Sequence, residues 1–282
     1  MPTSTSPARR DNRKGNKIMK KIIAMTLAVL LMLGCFAGCQ NSNNSVAETI
    51  IVGYTIYEPM NYKDASGKLV GFDTELAEKV FGNLGYKVIF QEIDWNQKYT
   101  DLNSGTIDCV WNGFTCNTAD DDGVLRSEKV DFSYNYMENQ QVLVVKKGTA
   151  ISKDADLSAL VAAVESGSAG ESYAKGLGLG TKGCVKQTDC LLEVNSGSCD
   201  VAVLDAQLAK SYCGKGDYSE LEIVEGMSSN VEFYAIGFKK GSDLTAKVNE
   251  QLEKLAAEGY ITELAKKYGV ENTAVTDFSS QK

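Results

Sequence analysis

Histidine is absent from all 282 residues of the sequence. This absence excludes histidine as a general base, as the partner of a serine or cysteine nucleophile, and as a metal ligand. Eight cysteines are present, but no two have the C-x-x-C spacing that is typical of structural zinc sites. Much enzyme chemistry is thereby disfavoured, catalysis by carboxylates or lysines stays open, and no metal or cofactor is predicted.

Arginine is also scarce, because Arg126 is the only arginine beyond residue 13. Its planar guanidinium group has five donors in a fork that fits a carboxylate. Arg126 follows the apolar run Cys109–Trp111, which predicts a buried strand, and the turn Asn112-Gly113, where the backbone can approach a ligand closely. The segment therefore predicts a binding site, with a strand, a turn and a surface arginine as the alternative interpretation.

Charge is divided unevenly along the chain, whose net charge is −8. Residues 1–38 contain seven basic residues and one acidic residue, which leaves 22 of the 29 basic and 36 of the 37 acidic residues for the rest. An acidic body argues against nucleic acid as a partner. The length and the 43% content of hydrophobic residues are sufficient for one large or two ordinary domains.

The basic N-terminus has the pattern of a signal peptide. Lys20-Lys21 precede Ile22–Leu33, an apolar run that is too short to span a bilayer comfortably. We therefore assign residues 1–38 to a signal peptide and expect Met19 to be the true start of the protein.

Two cysteines follow the apolar run, and small residues directly precede the second of them. Phe36-Ala37-Gly38-Cys39 resembles a bacterial lipobox, in which the cysteine becomes lipidated at the new N-terminus. We prefer Cys39 to Cys35 as the lipidated residue, and we assign residues 39–48 to the lipidated cysteine and a polar tether. A plain secretory signal is the alternative. A lipid anchor would hold the protein at the outer face of the cytoplasmic membrane.

Six cysteines remain in the mature body, where export would permit disulfides. Cys109 lies in the apolar run and is expected to be a buried small hydrophobic residue. The last four lie close together in the sequence, so we expect one bridge among them without assigning the pair: Cys184, Cys190, Cys199 and Cys213.

From residue 49 onward, strand and helix patterns alternate, which predicts βαβ units and mainly parallel sheets. Ligands bind outside the carboxyl ends of the strands in such sheets. Tyr57, Trp95 and Gly113 each follow a predicted strand, so we expect them to converge. Asp73 is predicted to be the N-cap of the first helix.

The second half of the chain repeats this alternation. Gly167-Ser168 opens a predicted helix, and free N–H groups at a helix N-terminus bind anions. The next buried strand ends in Asp205, which could pair with a ligand ammonium group or, as the alternative, cap the following helix. A strand over Val231–Phe238 predicts a return to the first series of elements, so the chain would form two lobes with a hinge.

These features occur together in a pattern that resembles the amino-acid-binding proteins of ABC transporters. The resemblance covers residues 49–270 and rests on ten positions: Gly105, Ile107, Asp108, Gly113, Phe114, Thr115, Arg126, Phe132, Ser133 and Tyr136. It implies the α/β, two-lobed periplasmic-binding-protein fold of type II, in which each lobe is a mainly parallel sheet flanked by helices and two hinge crossings join the lobes. The lobe ranges implied are 49–143 plus 234–282, and 144–233.

The resemblance also implies a role for each candidate residue in the binding of a free amino acid. The Gly113 carbonyl and Thr115 would hold the α-ammonium group, and Arg126 would hold the α-carboxylate. Tyr57 and Trp95 would enclose the ligand's side chain. The helix start Gly167-Ser168 would contact the carboxylate, and Asp205 would pair with the ammonium group. Trp111, which precedes the glycine turn, is the last candidate.

One departure from the family pattern lies between Thr115 and Arg126. The family usually has a shorter segment there, whereas this chain carries the acidic insert Asp120–Gly123. The insert lacks the alternating oxygen ligands of a calcium loop, so a solvated loop is expected. Its presence raises the question of whether Arg126 reaches the site.

The function that follows is that of an extracytoplasmic solute-binding lipoprotein, a monomer and not an enzyme, that captures a free amino acid and delivers it to an ABC permease. Glu58 and Glu165 near the predicted site favour a polar or cationic side chain. The first alternative is an exported dehydratase-like enzyme for a small cyclic carboxylate, with Glu165 as its general acid. The second is a ligand-sensing module with a separate partner.

Overall fold

The structure is a computed structural model that describes residues 47–281. The predicted signal peptide and Cys39 lie outside the described residues. The strands of the described part are β1 Thr49–Tyr54, β2 Tyr62–Lys63, β3 Leu69–Val70, β4 Lys87–Glu92, β5 Cys109–Val110, β6 Asp131–Phe132, β7 Met137–Asn139, β8 Gln141–Lys146, β9 Val161–Glu165, β10 Gly180–Cys184, β11 Val201–Asp205, β12 Leu221–Ser228, β13 Glu232–Tyr234 and β14 Gly237–Phe238.

The α-helices alternate with these strands. They are α1 Phe72–Asn83, α2 Lys98–Ser104, α3 Arg126–Lys129, α4 Ala169–Gly176, α5 Gln187–Ser196, α6 Ala206–Tyr212, α7 Leu244–Ala257 and α8 Tyr260–Tyr268. Short 3₁₀ turns lie at Trp95–Gln97, Gly216–Tyr218 and Ser279–Gln281. None of the helices in the described part of the chain has the length and the apolar content that a membrane span requires.

Two five-stranded sheets form the framework, in the orders β4-β1-β5-β14-β6 and β10-β9-β11-β8-β12. We call the first sheet, with α1 to α3, α7 and α8, the first lobe, and the second sheet, with α4 to α6, the second lobe. In each sheet the first three strands pair in parallel and the other two pairings are antiparallel. The predicted two-lobed α/β fold is confirmed, with sheets that are mixed in direction.

The chain passes between the lobes where β7 pairs antiparallel with β13. All of β8, from Gln141 onward, belongs to the second sheet, where Gln141 lies opposite Asp205. The predicted lobe ranges placed 49–143 and 234–282 in one lobe and 144–233 in the other, and they remain a prediction. The two crossings between the lobes therefore lie side by side.

Periodic apolar side chains form the cores. On α7, Val248, Leu252 and Leu255 are buried at a spacing that places them on one helical face, as the sequence predicts. In the second lobe, Leu143 and Val203 lie in adjacent strands and are also buried. Burial of such a side chain stabilises the fold by roughly 1.5–3 kcal/mol.

The start of α1 differs from the prediction. Gly71, not Asp73, precedes the first helical residue, and no side chain caps this end. Asp73 is already inside the helix, and its side chain is fully buried. Its Oδ2 accepts hydrogen bonds from the Gly113 N–H (3.1 Å) and the Tyr136 hydroxyl (2.9 Å). The carboxylate therefore supports the Gly113 turn, and its assignment as an N-cap was wrong.

The six cysteines of the described residues are free thiols, so the predicted bridge among the last four does not form here. Cys184 and Cys190 are neighbours whose thiols interact. Each also lies near a backbone carbonyl that can accept its hydrogen, Lys182 at 3.9 Å and Lys186 at 3.5 Å. Cys109 is fully buried, as predicted, and it is also a free thiol.

Candidate functional site

The carboxyl ends of the parallel strands in both sheets face one cleft. A small cavity there, of about 10 Å³, is lined from both lobes by Trp95, Asn112, Gly113, Thr115, Arg126, Glu165, Ser168, Ala169, Gln187 and Asp205. A cavity of this size holds about one water molecule. The lobes must therefore move apart before a ligand as large as an amino acid can enter.

Arg126 begins the short helix α3 and reaches this cavity in spite of the acidic insert. Its side chain is only 1% exposed. The Nε atom donates to Asp120 Oδ1 (2.8 Å), Nη1 donates to the Thr115 carbonyl (3.2 Å), and Nη2 donates to the Gly167 carbonyl of the second lobe (3.3 Å). The bonds to Asp120 and Thr115 lie within the first lobe, so they orient the guanidinium group before any ligand arrives.

The Gly113 turn brings the backbone close to the cavity. Gly113 has φ +59°, and a Cβ atom there would lie 2.7 Å from Tyr57 Cε1. Only glycine meets both conditions without strain. Two residues later, the Thr115 hydroxyl donates to Glu232 Oε2 (3.2 Å). This hydroxyl can still accept a bond from a ligand ammonium group.

Asp205 provides the buried anion on the opposite side of the cavity. Its Oδ1 accepts hydrogen bonds from Asn139 and Gln141 at 2.6 Å each, and Oδ2 accepts one from Gln187. Burial raises the pKa of Asp205 above its ordinary value, although these donors oppose the shift. Asp205 occupies the N-cap position of α6, as the alternative predicted, but its side chain makes no hydrogen bond to the start of the helix.

The Gly167-Ser168 corner begins α4, as predicted, and Ser168 is its N-cap. The Ser168 hydroxyl accepts the Glu171 N–H at 3.1 Å, and the Gly167 N–H donates to the Glu171 carboxylate at 2.7 Å. The Gly167 carbonyl accepts bonds from two basic side chains of the first lobe, Arg126 and Lys98, the latter at 3.0 Å. The corner therefore connects the two lobes.

The three candidate aromatic residues lie at different depths. Trp95 lines the cavity, and the Lys98 ammonium group lies 5.1 Å from its ring centroid. Tyr57 is buried beside the cavity, with its hydroxyl 2.7 Å from that of Tyr234. Trp111 lies deeper, in the core of the first lobe, where its ring packs 5.9 Å from that of Phe81. Of the three, only Trp95 lines the cavity.

Four residues that line the cavity were not among the predicted ligand contacts: Asn112, Glu165, Ala169 and Gln187. Lys98, which lies against Trp95 and the Gly167 carbonyl, was not predicted either. Gln187 lines the cavity just after the carboxyl end of β10, so the rule that found Trp95 and Gly113 could have found it too. Lys98 carried no such signal. It is 2% exposed, and burial, with the nearby Arg126 charge, lowers its pKa to about 7.

Residues 50–271 match the family model described as bacterial extracellular solute-binding proteins, family 3. The chain belongs to this family. The match spans both lobes and includes each residue that lines the cavity.

Relatives of this solute-binding protein are similar over nearly their whole length. The arginine-binding extracellular protein ArtP of Bacillus subtilis is 30% identical over 258 residues, which cover 89% of this chain and 98% of ArtP. An ancestral arginine-binding protein solved with arginine is 33% identical, with a TM-score of 0.70 over 78% of this chain and 97% of that one. An ancestral amino-acid-binding protein, described as a precursor of cyclohexadienyl dehydratase, is 30% identical, with a TM-score of 0.68 over 78% and 95%.

Glu232 gives this solute-binding protein a pH-dependent stability. Burial, followed by the Asp205 charge, raises the pKa of Glu232 to about 6. Its contribution is therefore fully present below about pH 4.5, the value in an unfolded chain, and is lost as pH rises through 6. Relative to Glu232→Gln, the wild type should lose about 2 kcal/mol of unfolding free energy between pH 4 and pH 7.5. Urea unfolding at the two pH values measures this difference, and an unchanged difference would contradict it.

Proposed function

We propose that this family 3 protein binds a free amino acid between its lobes and delivers it to the permease of an ABC transporter. The observation that carries the proposal is one cavity with a buried arginine from the first lobe and a buried aspartate from the second, Arg126 and Asp205. A zwitterion is the small ligand whose two charges complement both groups. The names of the relatives, which include arginine-binding proteins, support the same class of ligand.

In the proposed mechanism the open first lobe binds the α-carboxylate through the Nη atoms of Arg126. The Gly113 carbonyl and the Thr115 hydroxyl accept from the α-ammonium group. Closure then brings Asp205 to the ammonium group and the Gly167-Ser168 corner to the carboxylate, as in other hinge-closing proteins. Closing also excludes water, which strengthens both charge pairs.

The ligand's side chain would extend toward Trp95 and Glu165. Within the described residues, Glu165 Oε1 is buried and has no hydrogen-bond partner. Burial, followed by the charge of Asp205, raises the pKa of Glu165 to about 8. A cationic or hydrogen-bonding side chain beside this oxygen would satisfy it, so we propose that a cationic or polar amino acid is preferred.

We also propose that the protein works outside the cytoplasm as a membrane-anchored lipoprotein. The support is the signal-like segment and the lipobox-like Cys39 in the sequence, together with a family described as extracellular. Labelling of the protein with a radioactive fatty acid in its bacterial host, compared with Cys39→Ala and Cys35→Ala, tests the anchor and its position.

A thermal-shift screen of the common amino acids tests the binding function. The protein is first unfolded and refolded to remove bound ligand. A ligand at a hundred times its Kd should raise the unfolding free energy by about 2.7 kcal/mol. If no amino acid changes the melting temperature, the proposed function is wrong. The variant Glu165→Gln tests the proposed preference for a cationic side chain. It should weaken the binding of arginine more than the binding of glutamine.

The enzymatic alternative has one supporting observation, the buried Glu165 with its raised pKa, which is a property of general acids. The relative described as a precursor of a dehydratase is itself an amino-acid-binding protein. Incubation with small cyclic carboxylates, followed by product detection, separates the two functions. Turnover that Glu165→Gln abolishes would favour the enzyme.

A further inference from the structure

The acidic insert Asp120–Gly123 lies at the mouth of the cleft. Its three aspartates line an outer cavity of about 400 Å³, whose other wall includes Ser168 and Ser172 of the second lobe. The outer cavity adjoins the small cavity, because Ser168 lines both. The insert therefore lies between Arg126, which belongs to the same first lobe, and the start of α4, which belongs to the second lobe.

Asp120 is the partner of Arg126 on the inner side of the insert. Its carboxylate accepts hydrogen bonds from Arg126 Nε (2.8 Å), the Tyr99 hydroxyl (2.6 Å) and Lys129 Nζ (2.9 Å). Burial alone would raise the pKa of Asp120, but Arg126 and the other donors outweigh this effect and hold the pKa below its ordinary value. A permanent anion therefore binds the Nε edge of Arg126 and leaves the Nη edge facing the cavity.

Asp121 makes contacts on the other side of the cleft. Its Oδ1 accepts a hydrogen bond from the Ser172 hydroxyl at 3.0 Å, and its Oδ2 pairs with Lys175 Nζ at 2.5 Å. Both partners belong to α4 of the second lobe. Lys175 is also held by Glu171 at 2.8 Å, so its ammonium group is positioned to meet Asp121. These contacts can exist only while the lobes are closed.

We propose that the acidic insert couples recognition of the ligand's carboxylate to closure of the lobes. Asp120 is a positioning residue for Arg126, and Asp121 holds the second lobe against the first. The inference rests on the proposed function, because it assumes a ligand between the lobes. Asp122 does not take part, since its carboxylate pairs with Lys129 of its own lobe at 2.7 Å.

The two contacts should affect binding differently. The Asp121 pair is about half exposed, and exposed pairs contribute little, so its loss should change the stability of the closed form only a few-fold. The change should appear in the rate of ligand release, because the contact forms after the ligand has entered. Loss of Asp120 frees a buried arginine to change orientation and should cost more.

The Asp121 contact is tested by comparing Asp121→Asn with Asp122→Asn, which removes the same charge from the same loop without touching the second lobe. Stopped-flow release of the amino acid found by the thermal screen is measured at low and high salt. Asp121→Asn should release the ligand about three times faster at low salt, with an unchanged association rate, and the difference should disappear at 1 M salt. Asp122→Asn should match the wild type. Equal release rates for the two variants would overturn the role of Asp121.

The Asp120 contact is tested with two ligands, the amino acid and its α-amide, which lacks the carboxylate. Asp120→Asn should weaken binding of the amino acid about tenfold and binding of the amide less than about twofold. A merely structural role would weaken both ligands alike, and that outcome would overturn the positioning role. Far-ultraviolet circular dichroism confirms that the variant is folded.

Failure of the proposed function would be distinguishable from failure of this inference. If the wild type binds no amino acid, the function is wrong, and small-angle X-ray scattering of the ligand-free protein alone decides the role of Asp121. A larger radius of gyration for Asp121→Asn than for Asp122→Asn would then support a contact that closes the lobes. Equal radii would overturn it.

Discussion

Replacing Arg126 with alanine should weaken amino-acid binding at least about 1,000-fold, the largest functional effect that we expect in this protein. The Nη edge of Arg126 is the only guanidinium surface in the described cavity, and loss of one partner of a buried charge pair costs about 2–5 kcal/mol or more. Isothermal titration calorimetry with the best amino acid measures the loss.

Arg126→Ala leaves the mostly buried Asp120 without its main cation, so the variant could lose stability as well as binding. The experiment must separate these two effects. The double variant Arg126→Ala, Asp120→Asn removes this unpaired charge and should be at least as stable as the single variant, while it still binds no ligand. Lys240→Ala is the matched control, since Lys240 forms an exposed ion pair with Asp131 outside the cavity. Tight binding by the double variant would show that the carboxylate is held elsewhere.

Replacing Gly71 with alanine should destabilise the protein by about 3–5 kcal/mol, the largest stability effect that we expect. Gly71 has φ +132°, and a Cβ atom there would lie 2.0 Å from the Met60 carbonyl oxygen and 2.9 Å from that of Pro59. The Pro59 and Met60 carbonyls accept hydrogen bonds from backbone N–H groups of α1, and these bonds close the loop that carries Tyr57. The carbonyls therefore cannot move away from the added Cβ atom without breaking the loop.

Gly67→Ala is the control for Gly71→Ala. Gly67 also has a positive φ, +82°, but no atom lies within 4 Å of a Cβ built there. Its replacement should therefore cost only the backbone strain, about 1–2 kcal/mol. Urea unfolding measures both variants. A similar loss for the two would mean that the carbonyls around Gly71 can give way, contrary to our interpretation.

The framework of the fold is predictable from sequence because it depends on local periodicity. The apolar pattern of α7 and the run Gln141–Val145 correspond to a buried helix face and a buried strand. The rule for the carboxyl ends of parallel strands then brings Trp95 and Gly113 to one cavity without knowledge of any contact. Periodicity and topology together therefore locate the site.

The partners of the site residues could not be predicted, because they depend on contacts between distant parts of the chain. Tyr57 pairs with Tyr234, 177 positions away, and this contact turns its hydroxyl away from solvent. Asp73 has the residue type and position of an N-cap, but its buried contact with Gly113, 40 positions away, gives it another role. Local rules cannot weigh such contacts against a cap.

The acidic insert shows the same limit for charged residues. A run of aspartates predicts a solvated loop, and Asp122 is indeed exposed. Its neighbour Asp120 is mostly buried, because Arg126 and Tyr99 fold over it. The composition of the segment cannot reveal this difference, since it arises only when the loop meets α3.

The different depths of the two tryptophans give the protein an internal optical signal. Trp95 lines the cavity, whereas Trp111 is fully enclosed in the core of the first lobe. Indole fluorescence changes with the polarity around the ring, so the arrival of a ligand should alter the emission of Trp95 while Trp111 supplies a constant background. The chain has only these two tryptophans. A single spectrum can therefore report the state of the cleft without an attached dye.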